Sequence, residues 1–338
     1  MSGKKILIIR FSSIGDIVLT TPVIRIIKNQ LSECEIHYAT KVEHESILTA
    51  NPYIDKIHLL DDGIYELIKR LRNERFDYII DLHNNFKSFI IKHAIKGKVG
   101  SLNKLNIQKW LLVNFKLNIM PNKHIVERYV DAAKTLGVQM DQGGLDYFIP
   151  HKDEVEDDWL PEDYRRNIVV FAIGAKFNTK RLPKEKIIEI CDKINKPVIL
   201  LGGKEDGAVG DYVEIFFEKK NENESFEKGL KDLNKKTIVF NGCGKFNLNQ
   251  SASVIKKSIA VFTHDSGLMH IAAAFGKDIY SIWGNTVPDF GMYPYRTKFT
   301  VFENNSLGCR PCSKIGHSKC PLGHFNCMKN QFFDFYIP

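Results

Sequence analysis

Short apolar runs alternate along the chain with longer segments of helical period. Dense in β-branched residues, KILIIRF at 5–11, EIHYAT at 35–40, KIHLL at 56–60 and DYIIDLH at 77–83 predict strands, with helical patterns near 22–30, 43–50 and 65–75. Continuous apolar runs joined by helices are the pattern of a parallel sheet covered on both faces, so the first half reads as a doubly wound α/β unit. The pattern breaks at Pro150, where HKDEVEDDWLPEDYRRN is rich in charge and proline. A second series follows, with strands predicted at 168–174, 198–203, 237–241, 259–264 and 279–283. The expected architecture is two Rossmann-like domains facing across a cleft, residues 1–155 and 156–338. The polar stretch 218–236 reads as a solvated helix and loop.

Composition adds constraints. A chain of 338 residues with 43% apolar and 26% charged content suits a folded two-domain protein. Its start lacks the charged, apolar and small-residue zones of a signal peptide, and no apolar run approaches the roughly 18 residues that span a bilayer. A cytoplasmic location is therefore expected. The seven cysteines are then read as free or metal-bound rather than paired.

The net charge of +8 is unevenly spread, and residues 87–123 hold eight lysines and no acid. Apolar residues alternate with those lysines. The segment is either a solvated face over ordinary core residues or a surface for anionic headgroups or a phosphorylated acceptor. Without arginine or a stacking motif, nucleic acid ranks below both.

Candidate chemistry sits at strand ends. In ILIIRFSSIGDIVLTTP, Asp16 follows the first strand, while Pro22 suits a helix beginning at Thr21. Asp16 is then either a helix cap or a carboxylate in the turn over a buried strand, where open α/β sheets hold ligands. In FTHDSGLMHIAAAFG, a strand ends at Asp265, and Ser266, Gly267 and Leu268 offer free N–H groups at a helix start. That is an anion site suited to a diphosphate, with His270 one turn on; a plain cap and a half-buried histidine is the simpler reading. Gly174 ends another strand, and Lys180 and Arg181 follow in a loop where cations neutralise phosphate charge. Gly202 and Gly203 precede Glu205, an acid placed to bond ribose hydroxyls, with Asp206 as its competitor. The three-glycine dinucleotide fingerprint is absent, which counts against NAD. Near the end, Cys309, Cys312, Cys320 and Cys327 have the chemistry of a structural zinc site, although the six-residue gap of the second pair is not a standard knuckle; packed free thiols are the alternative.

Taken together, RFSSIGDIVLTTP, DLHNNFKS at 81–88, THDSGLMHIAAAFGK with WGNTVP, and the terminal CPLGHFNCM make the chain resemble the heptosyltransferases of glycosyltransferase family 9 along nearly its whole length. The resemblance implies the GT-B fold, with an N-terminal acceptor domain and a C-terminal domain for an ADP-activated sugar. It implies Asp16 as general base, Ser13, Gly15, His83 and Lys87 on the acceptor side, and Gly174, Lys180, Glu205, Asp265, Ser266, Gly267, Leu268 and His270 on the donor side. Leu182 departs from the family, which often has an aromatic residue before that proline. Inverting displacement without a required metal or cofactor is expected. So is an anionic lipopolysaccharide inner-core acceptor at the cytoplasmic face of the inner membrane, where the protein would be peripheral, with no obligate protein partner and no nucleic acid. The competing expectations are transfer of another nucleotide-activated sugar to a different glycolipid, and a non-catalytic basic module that binds membrane or nucleic acid.

Overall fold

The structure, a computed structural model, describes residues 3–228 and 237–337. Strands β1 (Lys4–Ile9), β2 (Cys34–Lys41), β3 (Lys56–Leu60), β4 (Tyr78–Asp81) and β5 (Lys98–Ser101) form one parallel sheet, in the order β3-β2-β1-β4-β5. A second parallel sheet is made of β6 (Val169–Ala172), β7 (Val198–Leu201), β8 (Val239–Asn241), β9 (Ala260–His264), β10 (Asp278–Trp283) and β11 (Phe299–Glu303), in the order β11-β10-β9-β6-β7-β8. Both orders reverse direction beside their first strand, between β1 and β4 and between β6 and β9. Loops leaving neighbouring strands diverge at such points and open a crevice at the carboxyl ends. Every site residue proposed from the sequence, apart from the cysteines, lies within or just after one of those reversals or in the loop after β7.

The apolar runs form strands because the sheets are covered on both faces. In β6 and β7 all eight residues are buried. Helices α1 (Ile14–Val18), α2 (Thr21–Gln30), α3 (Ile64–Glu74), α4 (Phe86–Ala94), α5 (Asn106–Phe115) and α6 (Ile125–Ala132) accompany the first sheet; α7 (Lys184–Ile194), α8 (Gly207–Lys228), α9 (Leu248–Lys257), α10 (Gly267–Ala274) and α11 (Asn326–Lys329) accompany the second. The chain after α11 returns to the second sheet, where Phe333 and Ile337 join its core and the Tyr280 hydroxyl donates to the Tyr336 carbonyl at 2.7 Å.

Several expectations are adjusted. The helical pattern at 43–50 is a 3₁₀ segment, Val42–Ile47, followed by a turn, too short and too rich in charge to sustain an α-helix. Strands β5 and β11 escaped the apolar-run criterion because each is a sheet edge with mostly exposed or half-exposed residues. Of the polar stretch 218–236, the part to 228 continues α8, and 229–236 lies outside the described residues.

The connection between the sheets is pinned to both. Arg25 on α2 donates to Asp141 at 2.9 Å and pairs with Asp146, and the Asp146 N–H donates to Thr21 Oγ1 at 2.9 Å. Further on, the Tyr147 hydroxyl donates to Asn249 Oδ1 on α9 at 2.7 Å, and Asn249 Nδ2 donates to Asp153 at 3.1 Å. The domain division expected at 155/156 falls between two 3₁₀ turns, His151–Asp153 and Asp157–Trp159.

Candidate active site

Asp16 is both a cap and a site residue. Ser13 precedes the single turn α1, and Asp16, three residues into the motif, accepts from the Ser13 backbone N–H at 3.1 Å and its hydroxyl at 2.8 Å. Its other oxygen meets Arg10 Nη2 at 2.7 Å. Arg10 is fixed in turn by the carbonyls of Ser12 at 2.7 Å and Leu82 at 2.6 Å, at the ends of β1 and β4. Burial is the largest influence on the Asp16 carboxyl and pushes its pKa up, but the Arg10 charge and the Ser13 bonds outweigh it and hold the group below the ordinary carboxylate value. The helix carrying Pro22 does begin at Thr21, as the sequence predicts.

The turn of α1 lies directly against the start of α10. A Cβ added at Gly15 would fall 2.7 Å from His270 Cδ2 and 3.4 Å from Gly267 Cα; one added at Gly267 would fall 2.7 Å from Ile14 Cγ2. Only glycine on each side allows this approach of backbone to backbone. The first domain's carboxylate turn and the second domain's helix start are thereby brought together.

On the second domain, Lys180 Nζ pairs with Asp265 Oδ2 at 2.5 Å, and Thr286 Oγ1 donates to the same oxygen at 2.8 Å. Ser266 caps α10 in extended conformation, its hydroxyl 3.4 Å from that of Thr263. Leu268, half-buried, packs on the core cluster that both domains share. His270 is buried beside this group; burial lowers its pKa to about 4, so the ring is neutral, and its Nδ1 has no partner. Leu182, where the family pattern varies, donates its backbone N–H to His264 Nε2 at 3.1 Å.

The two acids after β7 part ways. Glu205 is exposed and lies 3.7 Å from Arg181. Asp206 is buried, accepts from the Gly203 N–H at 2.9 Å, meets Arg181 at 3.2 Å, and presses against Gly174, where a Cβ would come within 2.5 Å of its Oδ2. Burial raises the Asp206 carboxyl in spite of Arg181. Asp206 therefore occupies the interior of the crevice beside Gly174, and Glu205 its rim.

On the acceptor side, His83 stacks edge-on against Phe11 at 5.4 Å, and burial and then Arg10 lower its pKa to about 4. Lys87 is exposed in the first turn of α4. Sequence reading counted Lys109 among the eight lysines of 87–123 without giving it a separate role, and did not single out Arg128. Lys109 is lowered to about 8, by burial first and then by Arg128, and the charges of Asp16, Lys314 and Arg10 reach it too. Arg128 is buried; its Nη2 donates to the Phe290 carbonyl at 3.0 Å, while Nε and Nη1 have no partner. Unpartnered buried polar atoms also occur at His83 Nδ1 and Tyr129 OH, both within reach of the Asp16 charge. Buried polar groups are ordinarily paired, so this concentration leaves donors that a polar, anionic ligand would satisfy. The available signal was a basic residue, Arg128, on the otherwise apolar face of α6.

The four cysteines of the last loop share one neighbourhood: burial, then Cys312, Cys320 and Cys309, influence the Cys327 thiol, and Cys309 Sγ lies 4.0 Å from His324 Nε2. Among the described residues, the one trio of ligand atoms within 4.8 Å of one another is elsewhere, at His37, His58 and Glu74. There His37 Nδ1 and His58 Nε2 hydrogen-bond at 2.8 Å, and Glu74 holds Lys5 at 3.1 Å and Lys56 at 2.5 Å. In the trio the ligand atoms already bond to one another or to lysines. The cysteine loop does buttress the donor side, since Thr179 and His317 exchange backbone and hydroxyl hydrogen bonds at 2.8–3.2 Å next to Lys180.

Comparisons with known proteins bear on family and fold. The family model described as glycosyltransferase family 9 (heptosyltransferase) matches residues 64–322. The chain is 28% identical over 322 residues to lipooligosaccharide heptosyltransferase 2 of Haemophilus influenzae, covering 88% of each chain. To lipopolysaccharide heptosyltransferase 1 of Campylobacter coli it is 27% identical, covering 83% of this chain and 84% of the relative. The structure of Escherichia coli ADP-heptose lipopolysaccharide heptosyltransferase II superposes with a TM-score of 0.68 at 19% identity, covering 96% of this chain and 98% of that one, which establishes the shared two-domain GT-B fold.

Proposed function

We propose that this chain, which belongs to glycosyltransferase family 9 and is a glycosyltransferase, moves a heptose from ADP-heptose to a hydroxyl of a lipopolysaccharide inner core. The sugar and acceptor are those of its named relatives. The observation that carries the reading is the contact of Gly15 with Gly267 and His270, because it puts the one-turn helix bearing Asp16 against the helix start suited to a diphosphate.

In this reading the donor diphosphate lies at the start of α10, where backbone N–H groups of an eight-residue helix face it, with Lys180 beside it. Donor binding would compete with Asp265 for Lys180. Acceptor anions are met by Lys109 and Arg128. The acceptor oxygen attacks the anomeric carbon from the side opposite the diphosphate, its proton passes to Asp16, the carbon–oxygen bond to ADP breaks, and configuration inverts. Charge developing on ADP is stabilised by Lys180 and the helix end. The Arg10 pairing makes Asp16 a weak resting base, so its contribution is position and charge as well as proton uptake. Asp206 or Glu205 meets the nucleoside.

The test is ADP release from ADP-heptose with a heptose-deficient glycolipid extract. Asp16→Asn is expected to lower kcat by about 10²–10⁴ while the donor dissociation constant stays within about threefold. Turnover with UDP- or GDP-sugars but not ADP-heptose would replace the donor assignment with the other-sugar reading. An undiminished D16N enzyme would remove Asp16 from the chemistry. The non-catalytic alternative is set aside by family membership.

A further inference from the structure

The charge of residues 87–123 and the exposure of their apolar groups have opposite orientations. At 100° per residue, Ile107, Trp110, Leu111, Asn114 and Phe115 share one side of α5, and Lys109, Leu112 and Lys116 share the other. The first side faces outward: Ile107, Trp110 and Phe115 are 72%, 55% and 65% exposed. The second faces the protein. Leu112 is buried against Val287 and Phe290, Lys109 is half-buried within the charge fields of Arg128 and Asp16, and Lys116 Nζ donates to the carbonyls of Cys309 at 3.2 Å and Pro311 at 2.8 Å. A helix on an aqueous surface has the reverse arrangement. The apolar side continues past the helix through exposed Leu117 and Ile119, and beside it, on the loop that Lys116 holds, through exposed Ile315.

Of the other lysines of the segment, Lys87, Lys96 and Lys98 are exposed and three are engaged or half-buried. Lys92 pairs with Asp81 at 3.1 Å, Lys104 is half-buried near Arg10, and Lys123 pairs with Asp131. Lys314 and Lys319 are exposed within a second acid-free stretch, residues 304–333, on the loop whose Cys309 and Pro311 carbonyls Lys116 holds, and the Lys314 charge reaches Lys109 of α5. The acid that reaches the apolar segment, Asp289, accepts from Asn118 Nδ2 at 2.5 Å.

We propose that the outer side of α5, with Leu117, Ile119 and Ile315, is a monotopic docking surface that seats the protein on an anionic lipid bilayer. Aromatic and aliphatic side chains enter the headgroup boundary while Lys314 and Lys319 meet anionic headgroups. The charge pattern selects this occupant: a protein partner for so apolar a face needs no acid-free surround, whereas an anionic bilayer does. Lys109, on the inner side of the same helix, is half-buried within the charge field of Asp16, so one element would touch the membrane outside and the acceptor's head inside. That link rests on the acceptor reading above; the docking itself does not.

The experiment is flotation of the full chain with vesicles of phosphatidylcholine alone and with 30% phosphatidylglycerol, roughly the charge density of an anionic leaflet. Wild type is expected to float with the anionic vesicles, with Ile107→Ser/Trp110→Ser/Phe115→Ser losing at least about tenfold in partition coefficient. Lys314→Gln/Lys319→Gln should weaken only the anionic case and flatten its salt dependence. Far-ultraviolet dichroism and the melting temperature of each variant verify folding. Equal flotation of the triple variant, or none by wild type, overturns the proposal. A wild-type dimer that the triple variant turns into a monomer assigns the face to a second copy and overturns it equally. Flotation without ADP-heptose turnover would leave docking standing and remove the transferase reading alone.

Discussion

At the scale of single residues, Asp16 is governed by a contest between burial and one guanidinium. With its folded pKa held below the ordinary carboxylate value, the group is charged throughout neutral pH, and its charge is lost only as pH falls through that lowered value. Asp16 should therefore contribute no acid limb to kcat/KM between about pH 5 and 8. Arg10→Gln removes the charge that outweighs burial, so the Asp16 pKa should rise and an acid limb should enter that range; Arg10→Lys should restore the wild-type profile in part. Losing one partner of a buried pair costs about 3–5 kcal/mol, so profiles are compared at a temperature where circular dichroism verifies folding. An unchanged Arg10→Gln profile would mean that Asp16 protonation does not limit the reaction. Arg128 left only a faint trace in the sequence, one arginine on the otherwise apolar face of α6, because its two unpartnered nitrogens are a property of packing around that helix.

At the scale of elements, what the sequence made legible and what it did not divide along burial. Apolar runs located nine strands, the seven inner ones because a strand sandwiched between helices can hold little else, and the edges β3 and β8 because their sequences, KIHLL and VFN, are still mostly apolar. Edge strands β5 and β11 carry exposed residues and leave no such record. SSIGD and DSGLMH identified both crevice turns, yet nothing local revealed that they touch, since that contact joins positions about 250 apart. The contact makes a prediction. Ala at Gly15 meets the edge of a buried ring, and Ala at Gly267 meets the branched carbon of Ile14 at 2.9 Å, where yielding is harder. Each should lower kcat/KM by roughly 10²-fold through misplacement of the reacting groups, Gly267→Ala more, with a melting temperature only a few degrees lower. Because both alanines pry the same joint, the double variant should fall short of the sum of their effects. Full additivity would show that the turns work independently.

At the scale of the whole molecule, acid acts through buried imidazoles that cluster at the junction. His124, His264 and His270 are buried, and burial, the first cause in each, lowers them to about 3, 3 and 4; His58, within the first sheet, falls to about 4. Each is neutral in the fold and takes a proton in the unfolded chain below about pH 6.5. The stability they contribute is therefore complete above pH 6.5 and declines as pH falls from there toward 3–4, on the order of 1 kcal/mol for each by pH 5. The melting temperature should drop by several degrees between pH 7.5 and 5 at constant ionic strength, before the paired carboxylates begin to protonate. The loss should not be uniform. His270 lies against Gly15, and His124 stacks on Tyr295 at 4.7 Å and shares the charge fields of His270 and Arg128. Acid therefore strains the joint between the domains before it reaches the sheets. Donor and acceptor affinity should weaken near pH 5 while the far-ultraviolet dichroism keeps its native form. His124→Asn, which leaves no group to charge there, should shift the loss of affinity to lower pH without moving the dichroism. If binding and secondary structure fail together at one pH in both proteins, the junction histidines have no separate part in holding the domains in register.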